Sequence, residues 1–422
     1  MLKVAYLFQS IGARFDVARG ETLHTLYTLR GLQQRGHDAI LLALQGRKVI
    51  CSGELEAIAG ERPRRAQLGE LGLSGSAPFK LFESAVRRAQ GKLNVPYYAL
   101  FDSYRMYDAG CLNLKGFELI HERYNPPALG GALASKRLRI PYVLEVNADV
   151  LEQRAFKGVP ERGLRRLLCV YSTRLAFKTA ARIICTSAVM KGQLVAKWGV
   201  DEGKVVVLPC AADLEIFQRE YHPELVRQQL GLTVEPIVIW IGGYYVWQDL
   251  ELLAESFSGV VGVRPDAKLV MVGDGERRAA FERKIAQHGI QDSVINVGAV
   301  PFQRVPELLS AADVAVSPHP SHLPGTGGTP MKLAEYMAAG RAIVATRLDQ
   351  ISVIIEDQQT GLLVPPGDID AFTKAVVTLL NDPVQRTRLG QNARRQAVEH
   401  HSWEQYAERL EETYLDILGR TL

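Results

Sequence analysis

No stretch of this 422-residue sequence is apolar for long enough to cross a bilayer, which takes about 20 helical residues. The longest apolar run covers residues 237–247 and is too short. The first eight residues read as a strand and lack the apolar core of a signal peptide. We therefore expect a cytoplasmic protein, either soluble or peripheral on the cytoplasmic face of a membrane.

Cysteine is scarce, with five scattered residues and no Cys-x-x-Cys pair. This excludes a disulfide framework and offers no zinc site, and reduced thiols fit the cytoplasm. The histidines show no ligand spacing, so we expect no metal; His319 and His322 are read as incidental. A net charge of +4 is too small for a nucleic-acid-binding face, but it fits an anionic ligand or an acidic membrane surface.

The length exceeds that of one ordinary core and predicts two domains. Strands are predicted at residues 3–8, 39–44, 118–121, 142–146, 183–186 and 205–208, and then at 237–241, 268–272, 294–297, 314–317, 342–345 and 361–364. Helical stretches separate them, which indicates an α/β fold with two doubly wound parallel sheets and a ligand-binding cleft between them. The predicted domains are residues 1–213 and 214–401, with a terminal helix over 402–422 packing back on the first.

The segment from Cys51 to Lys115 breaks this alternation. It has a basic patch at Arg62, Arg64 and Arg65, followed by an amphipathic run over residues 79–93. Irregular insertions of this length are usually functional or mobile. Two interpretations stand: a part that binds the acceptor, or a solvated elaboration of the first domain.

The glycine-rich stretch over residues 325–340 is the most informative local pattern. Thr329 is predicted to cap a helix, with Pro330 in its first turn and Gly340 at its end. Free amides at a helix start beside glycines form an anion site, and Glu335 lies about 9 Å further along the helix. That distance fits the phosphates and the ribose of a nucleotide diphosphate. The alternative is an ordinary helix on which Lys332 and Glu335 form a surface pair.

Further motifs extend through nearly the whole chain outside residues 51–115. In order they are Arg19-Gly-Glu-Thr-Leu-His-Thr-Leu, Arg35-Gly-His-Asp-Ala, Leu119-Ile-His-Glu-Arg-Tyr, Ile140-Pro-Tyr-Val-Leu-Glu-Val-Asn147, Ala181-Arg-Ile-Ile-Cys-Thr-Ser187, Val207-Leu-Pro-Cys-Ala-Ala-Asp213-Leu-Glu-Ile-Phe217, Ile239-Trp-Ile-Gly-Gly-Tyr, Val270-Met-Val-Gly-Asp-Gly-Glu, Asn296-Val-Gly-Ala-Val-Pro and Gly361-Leu-Leu-Val-Pro-Pro-Gly-Asp. With these motifs and the glycine-rich stretch, the chain resembles the retaining glycosyltransferases of family 4.

The resemblance implies the GT-B architecture, in which two Rossmann-like domains face each other across a cleft. It also implies transfer of a sugar from a nucleotide-diphosphate sugar to an acceptor hydroxyl with retention of configuration. No cofactor and no metal are implied, and a UDP-sugar is favoured over a GDP-sugar as the donor. The acceptor stays open: a glycan, a lipid-linked glycan or a small molecule.

Carried over position by position, the resemblance implies that Glu335 binds the ribose and that Gly20 is in a loop opposite the phosphates. Amides around Thr329 hold the diphosphate or the sugar, and residues 299–301 lie near the base. The implied donor-binding set is Gly242, Gly243, Gln248, Ala299, Val300, Pro301, Gly327, Gly328, Thr329, Pro330, Met331 and Glu335.

Several positions depart from the family pattern. Gly327 replaces the first carboxylate of the usual pair, Gly243 and Gln248 replace the donor-loop cations, and Asn147 replaces a histidine. Because an unpaired diphosphate in a partly dry site is costly, another cation is required. Lys332 is the favoured candidate.

Arg123 is a second candidate for this cation, unless it pairs with Glu122 or Glu145. The predicted catalytic residues are Asn147, Arg123 and Lys332, with departure of the diphosphate driven by electrostatic stabilisation.

Two alternative functions remain at this stage: a binding module that has lost its chemistry, and a nucleotide-sugar epimerase of the same fold. A basic helix with interleaved leucines also allows two interpretations, a contact with an anionic membrane or a solvated face. Its residues are Arg162, Leu164, Arg165, Arg166, Leu167, Leu168, Arg174, Leu175, Phe177, Lys178 and Arg182.

Overall fold

The computed structural model describes residues 1–10, 15, 20–55, 67–93, 99–321 and 328–420. The chain forms two compact units. Among the described residues, unit 1 contains Met1–Leu208, Gly328 and the chain from Tyr406 to Arg420, and unit 2 contains the rest of the chain between Pro209 and Gln405. The observed division after Leu208 is five residues before the predicted one after Asp213.

Unit 1 alternates strands and helices. Its strands are β1 (Lys3–Phe8), β2 (Asp38–Gln45), β3 (Lys48–Ser52), β4 (Leu119–Arg123), β5 (Tyr142–Val146), β6 (Arg182–Cys185) and β7 (Val205–Val207). Its helices before the boundary are α1 (Gly20–Gln34), α2 (Ala77–Lys92), α3 (Leu100–Asn113), α4 (Gly130–Leu138), α5 (Val150–Phe156), α6 (Gly163–Thr179) and α7 (Ala188–Trp198).

The strands of unit 1 form one sheet in the order β3-β2-β1-β4-β5-β6-β7. All neighbouring pairs are parallel except β2 and β3, which form an antiparallel hairpin around Gly46 and Arg47. Gly46 has a φ of +59°, which glycine adopts without strain and which a tight turn requires. The strand order reverses between β1 and β4, and such a switch point is where open α/β sheets bind ligands.

Unit 2 follows the same plan. Its strands are β8 (Ile237–Ile241), β9 (Lys268–Val272), β10 (Val294–Gly298), β11 (Val314–Ser317), β12 (Ala342–Thr346) and β13 (Leu362–Val364). The helices are α8 (Leu214–Phe217), α9 (Pro223–Gln229), α10 (Leu250–Val263), α11 (Arg278–Gln287), α12 (Val305–Ser310), α13 (Met331–Ala338), α14 (Asp349–Ser352), α15 (Ile369–Asn381), α16 (Pro383–His400) and α17 (Trp403–Leu418), the last of which runs into unit 1.

The sheet of unit 2 is parallel throughout, in the order β10-β9-β8-β11-β12-β13. Along β8, Ile237 and Ile239 pack in one apolar cluster, while Val238 and Trp240 pack in another. The sheet is therefore buried on both faces, which explains why its strands read as continuous apolar runs. The predicted doubly wound α/β class is confirmed.

The segment between Cys51 and Lys115 is more regular than the sequence analysis expected. Its described part contributes the end of β3 together with α2 and α3. The amphipathic run over residues 79–93 corresponds to α2, and Ser76 caps it by accepting a hydrogen bond from the Phe79 amide. The basic patch at Arg62, Arg64 and Arg65 lies outside the described residues.

Helix α17 carries the chain back to unit 1. The Tyr414 hydroxyl lies 2.5 Å from Nδ1 of His121, the middle residue of β4, and the two groups are buried. Glu411 lies 3.0 Å from His37 Nε2 and also pairs with Arg35. These contacts supply polar partners to the core of unit 1 from the far end of the chain.

Candidate functional site

The glycine-rich stretch leads into α13, which begins at Met331 with Pro330 at the N-cap position. The predicted Thr329 cap is wrong, because Thr329 precedes that position by one residue. Its carbonyl oxygen accepts a hydrogen bond from Cys210 Sγ at 3.3 Å, and its hydroxyl donates to the Gln350 carbonyl. Proline has no acceptor in its side chain, so within the described residues no side-chain cap covers the start of α13. Gly340 follows the helix end with a φ of +66°.

Lys332 and Glu335 occupy one side of α13. Lys332 Nζ donates a hydrogen bond to Gln248 Oε1 at 2.8 Å and lies 4.7 Å from the centre of the Trp240 ring. Glu335 is only 7% exposed, so the alternative of a surface ion pair is wrong. The ammonium group instead contacts the side chain of Gln248, one of the two residues that stand where the family pattern has cations.

Glycines make room for this ammonium group. A Cβ atom at Gly242 would lie 2.9 Å from Lys332 Nζ, so a larger residue there would displace the cation. A Cβ atom at Gly273 would lie 1.9 Å from the Gly242 carbonyl oxygen, and the Gly273 amide donates to the Gly298 carbonyl at 2.7 Å. The loops after β8, β9 and β10 therefore meet backbone to backbone, close to Ala299.

Burial changes the protonation of this cluster. It lowers the pKa of Lys332 to about 7, partly opposed by Glu335, and it raises the pKa of Glu335 to about 7, partly opposed by Lys332. Burial, together with the nearby Lys332 ammonium, lowers the pKa of His319 to about 3. His319 is therefore neutral at physiological pH.

His319 is the residue that sequence reasoning missed. Its Nδ1 lies 2.9 Å from the Trp247 carbonyl oxygen, and its Nε2 lies 3.1 Å from Ser317 Oγ. The neutral ring can donate to the carbonyl and accept from the hydroxyl, which fixes the loop that carries Gln248. The sequence did contain a signal for His319: it comes two residues after β11, and the carboxyl ends of parallel strands are where such sheets bind ligands.

A second polar cluster in unit 1 surrounds the fully buried carboxylate of Glu145 on β5. Its neighbours are Tyr6, whose hydroxyl donates at 2.8 Å, Arg123, which donates at 2.7 Å, Asn147, which donates through Nδ2, His24 at 3.3 Å and His121 at 3.4 Å. Burial alone would raise the pKa of Glu145, but the surrounding donors and cations hold it well below its usual range. Glu145 is therefore ionised and links Tyr6 of β1, Arg123 at the end of β4 and Asn147 directly after β5.

The guanidinium group of Arg123 forms an ion pair with Glu145. This is the alternative that the sequence analysis gave to a free cation at this position. Its side chain also lines a cavity of about 180 Å³ at the switch point of the unit 1 sheet. Asn147 lines the same cavity, and its Oδ1 is buried without a hydrogen-bond partner among the described residues. The other polar lining residues are Gln9, Ser10, Glu21, Asn125 and Gln153.

Several other predicted site residues lie outside the two polar clusters. Ala299 and Pro301 are exposed, whereas Val300 packs against the apolar core of unit 2. Gly20 is the exposed first residue of α1, next to Glu21 in the cavity wall. A Cβ atom at Gly243 would lie 2.2 Å from the Tyr245 ring. Gly327 lies outside the described residues.

The predicted basic helix is α6. Leu164, Leu167 and Tyr171 are 57%, 66% and 59% exposed, and most of the basic side chains around them are exposed too. Arg165 instead pairs with Glu161 at 2.8 Å. In the part of the chain that the structure describes, no helix has both the length and the apolar character needed to span a membrane.

Two family models match the chain. A model described as "Glycosyl transferase 4-like domain" matches residues 19–211, and one described as "Glycosyl transferases group 1" matches residues 235–382. The first match falls mainly in unit 1 and the second in unit 2.

Curated relatives carry related names. An alpha-D-kanosaminyltransferase of Streptomyces kanamyceticus is 30% identical over 168 residues, which cover 40% of this chain and 42% of that protein. A D-inositol 3-phosphate glycosyltransferase of Acidothermus cellulolyticus is 29% identical over 316 residues, covering 72% of this chain and 68% of the relative. The chain thus spans less than half of the first relative and about two thirds of the second.

Solved structures share the fold at low identity. A glycosyltransferase from Rickettsia africae superposes with a TM-score of 0.70 over 100% of both chains at 17% identity. Anabaena HepE in complex with UDP and glucose superposes with a TM-score of 0.70 at 18% identity, covering 98% of this chain and 99% of the other. These likenesses and the two parallel sheets identify the predicted GT-B fold.

Proposed function

Because the chain belongs to the group 1 glycosyltransferases, we propose that it transfers a sugar from a nucleotide-diphosphate sugar to an acceptor hydroxyl with retention of configuration. The observation that carries the proposal is the pair on α13, the buried carboxylate of Glu335 one turn from the half-buried ammonium group of Lys332. The carboxylate suits the ribose hydroxyls of a nucleotide diphosphate, and the ammonium group suits its phosphates.

Glu335 suits the ribose because its carboxylate has unused hydrogen-bonding capacity. Within the described residues only Lys332 acts to lower its pKa, and no hydrogen-bond donor contributes. A buried carboxylate without donors is costly, and two ribose hydroxyls would remove that cost. Ligand binding therefore favours the ionised form of Glu335.

Lys332 and the uncapped start of α13 suit the diphosphate. The first amides of a helix can donate to an anion, and the helix dipole favours negative charge there. Lys332 adds a full charge beside the neutral Gln248. As the sugar leaves, negative charge accumulates on the diphosphate, and these fixed groups stabilise it.

The choice of a UDP-sugar over a GDP-sugar is supported by fold likeness. Anabaena HepE, which shares the fold, was crystallised with UDP and glucose and also with UDP-glucose. For this chain a uridine diphosphate donor stays a proposal.

Asn147 and Arg123 are proposed to act on the reacting sugar or the acceptor. The buried Oδ1 of Asn147 is without a partner in the described part of the chain and can accept a hydrogen bond from a sugar hydroxyl. Glu145 fixes the amide from the other side by accepting from Nδ2. Glu145 is therefore a positioning residue for both Asn147 and Arg123.

The Glu335→Ala variant tests the donor site. Loss of two hydrogen bonds to a charged acceptor should raise the donor KM by about 10- to 100-fold. The control is Glu399→Ala, which removes an exposed carboxylate near the end of α16. Unchanged donor kinetics in Glu335→Ala would exclude this role of Glu335.

Calorimetry with UDP- and GDP-sugars, followed by a donor-hydrolysis assay, tests the reaction itself. Binding together with hydrolysis and transfer supports the proposal. Binding without any turnover would favour the alternative of a binding module, and a change of the sugar with the nucleotide still attached would favour the epimerase.

A peripheral contact with an anionic membrane completes the proposal, since a lipid-linked acceptor would require one. The exposed leucines and cations of unit 1 motivate it, with α6 as the helix that the sequence indicates. Vesicle binding at low salt tests the contact independently of sugar transfer. Absence of binding to anionic vesicles would exclude the membrane contact but would not bear on the proposed sugar transfer.

A further inference from the structure

The polarity of α2 is reversed relative to an ordinary surface helix. Leu81 is 69% exposed and Phe82 is 62% exposed, whereas Glu83 is fully buried. An amphipathic helix on a globular domain normally presents its charged side to water and its apolar side to the core. Here the side facing the protein carries the charge and the outer side carries the large apolar groups.

A buried ionic network holds α2 in this orientation. Glu83 accepts from Arg105 at 2.6 Å and from Arg87 at 2.7–2.8 Å. Asp102 lies 3.2 Å from Arg105 and 3.1 Å from Arg87, and Arg105 is as deeply buried as Glu83. Rolling α2 to bury its leucine and phenylalanine would leave Arg105 without Glu83. Since an unpaired buried charge is strongly unfavourable, the network keeps the apolar side exposed.

The outward face of α2 is a continuous apolar stripe with cations among it. Leu81, Ala85 and Ala89 recur every four residues, with Phe82 beside them. Lys80, Arg88 and Lys92 are the exposed charges of this helix, and all are positive, because its one carboxylate is Glu83. Aromatic and aliphatic side chains flanked by cations alone suit an apolar surface that carries negative charge at its boundary.

The apolar surface continues on to α3. The Phe82 ring lies 5.8 Å from the Phe101 ring, and the neighbouring Leu100 is 50% exposed. Phe79 packs against the same Phe101 ring at 5.6 Å from the inner side of α2. The exposed groups thus stand on an aromatic layer rather than on a loosely held segment.

We propose that the outward face of α2, defined as Leu81, Phe82, Ala85 and Ala89 with Lys80, Arg88 and Lys92, docks on an anionic lipid bilayer. Its apolar side chains enter the boundary between headgroups and acyl chains, and its cations contact acidic headgroups. A second copy of the chain fits less well, since a symmetric contact would bring Arg88 and Lys92 against the same cations. Acidic lipid neutralises them instead.

The inference deepens the membrane part of the proposed function by assigning the contact to α2 rather than to α6. The buried residues of α6 are uncharged, as in an ordinary amphipathic helix: Cys169, Ser172, Thr173, Ala176 and Phe177. Its first turn also has an acidic neighbour, Glu161, which pairs with Arg154 and Arg165. On α2 the ionic network adds a structural reason for the exposed apolar groups.

The test is co-sedimentation of the full chain with vesicles of phosphatidylcholine alone or mixed with phosphatidylglycerol. Wild type is expected to bind the mixed vesicles and to be released by salt. The double variant Leu81→Ser/Phe82→Ser should bind about tenfold more weakly, since it removes two inserted side chains. The matched control is Leu164→Ser/Leu167→Ser on α6, which should bind as wild type does. Circular dichroism and melting temperature check that both variants remain folded.

Replacing Lys80, Arg88 and Lys92 together with glutamine gives a second readout. The triple variant should bind at least about tenfold more weakly to mixed vesicles at low salt and lose most of the salt dependence. Unchanged binding would contradict the electrostatic half of the inference.

Three results would overturn the assignment to α2. If wild type fails to bind mixed vesicles, the membrane contact fails altogether, while donor hydrolysis still tests sugar transfer. If only the α6 variant loses binding, the contact belongs to α6. If wild type dimerises in sedimentation velocity and Leu81→Ser/Phe82→Ser stays monomeric, the face belongs to a second copy.

Discussion

At the scale of single residues, Lys332 would couple its own protonation to binding of the proposed diphosphate ligand. Burial lowers the pKa of this lysine to about 7, so the free protein loses the charge just above neutral pH. A bound diphosphate favours the charged ammonium group, so binding takes up a proton when the lysine is neutral. By linkage, affinity falls by up to about tenfold per pH unit above the pKa of the free protein.

We therefore predict that UDP binds about tenfold more weakly at pH 8.5 than at pH 7, as measured by calorimetry. The Lys332→Gln variant should bind weakly at both values and lose this pH dependence. If the variant keeps the wild-type slope, another group is responsible for it.

His319 predicts a different pH effect, on stability. Burial lowers its pKa to about 3, below its value in the unfolded chain, so the unfolded state binds the extra proton first. Stability due to this group is complete above about pH 6.5 and falls as the pH decreases towards 3. Between pH 6.5 and 5 the loss amounts to about 2 kcal/mol.

Denaturant unfolding at pH 7 and pH 5 measures this loss. In His319→Asn the amide can still donate to the Trp247 carbonyl but does not titrate, so unit 2 should lose about 2 kcal/mol less than wild type does. Equal losses in the two proteins would show that His319 does not contribute to acid sensitivity.

At the scale of elements, the ionic network under α2 makes a prediction about stability. Glu83→Gln keeps the shape but removes the charge that compensates the buried Arg105. Breaking one partner of a buried pair costs about 3–5 kcal/mol, so the melting temperature should fall clearly. Glu404→Gln, an exposed carboxylate in α17, serves as the control. A melting temperature equal to that of wild type would mean that Asp102 alone compensates Arg105.

Elements with a strong pattern could be predicted from the sequence. β1, β5, β8, β9 and β11 have the predicted bounds, because strands buried on both faces are continuous apolar runs between polar turns. Strand β3 was missed, since an antiparallel edge strand with lysine and cysteine has no such run. The predicted helix α13 is present, but its N-cap is Pro330 and not the predicted Thr329.

The site was predictable only in part, for a physical reason. Spacing along α13 places Glu335 and Lys332 on one side, but only the tertiary structure shows that Glu335 is buried and that Lys332 reaches Gln248. Glu145 joins Tyr6, Arg123 and Asn147 from three different strands, and such convergence cannot be read from any local window. The sequence nevertheless indicated Glu145 as a possible partner of Arg123.

At the scale of the whole molecule, ligand binding should stabilise the unit that carries α13. UDP at a hundredfold excess over its Kd adds about 2.7 kcal/mol to the folded state. For a unit of this size the melting temperature should rise by about 5–10 °C. Differential scanning fluorimetry with UDP and GDP measures the shift; no shift with either nucleotide would contradict the donor site, and a larger shift with GDP would reverse the choice of base.

The return of α17 to unit 1 has a consequence during synthesis. Tyr414 meets His121 across 293 residues of chain. At about 5–20 residues per second, a ribosome needs roughly 15–60 s to make that stretch. Throughout that time His121 and His37 of the nascent unit 1 lack their partners Tyr414 and Glu411 on α17. The residues of unit 2 are synthesised during this interval. A chain released early would expose this unfinished core, which chaperones and proteases can recognise.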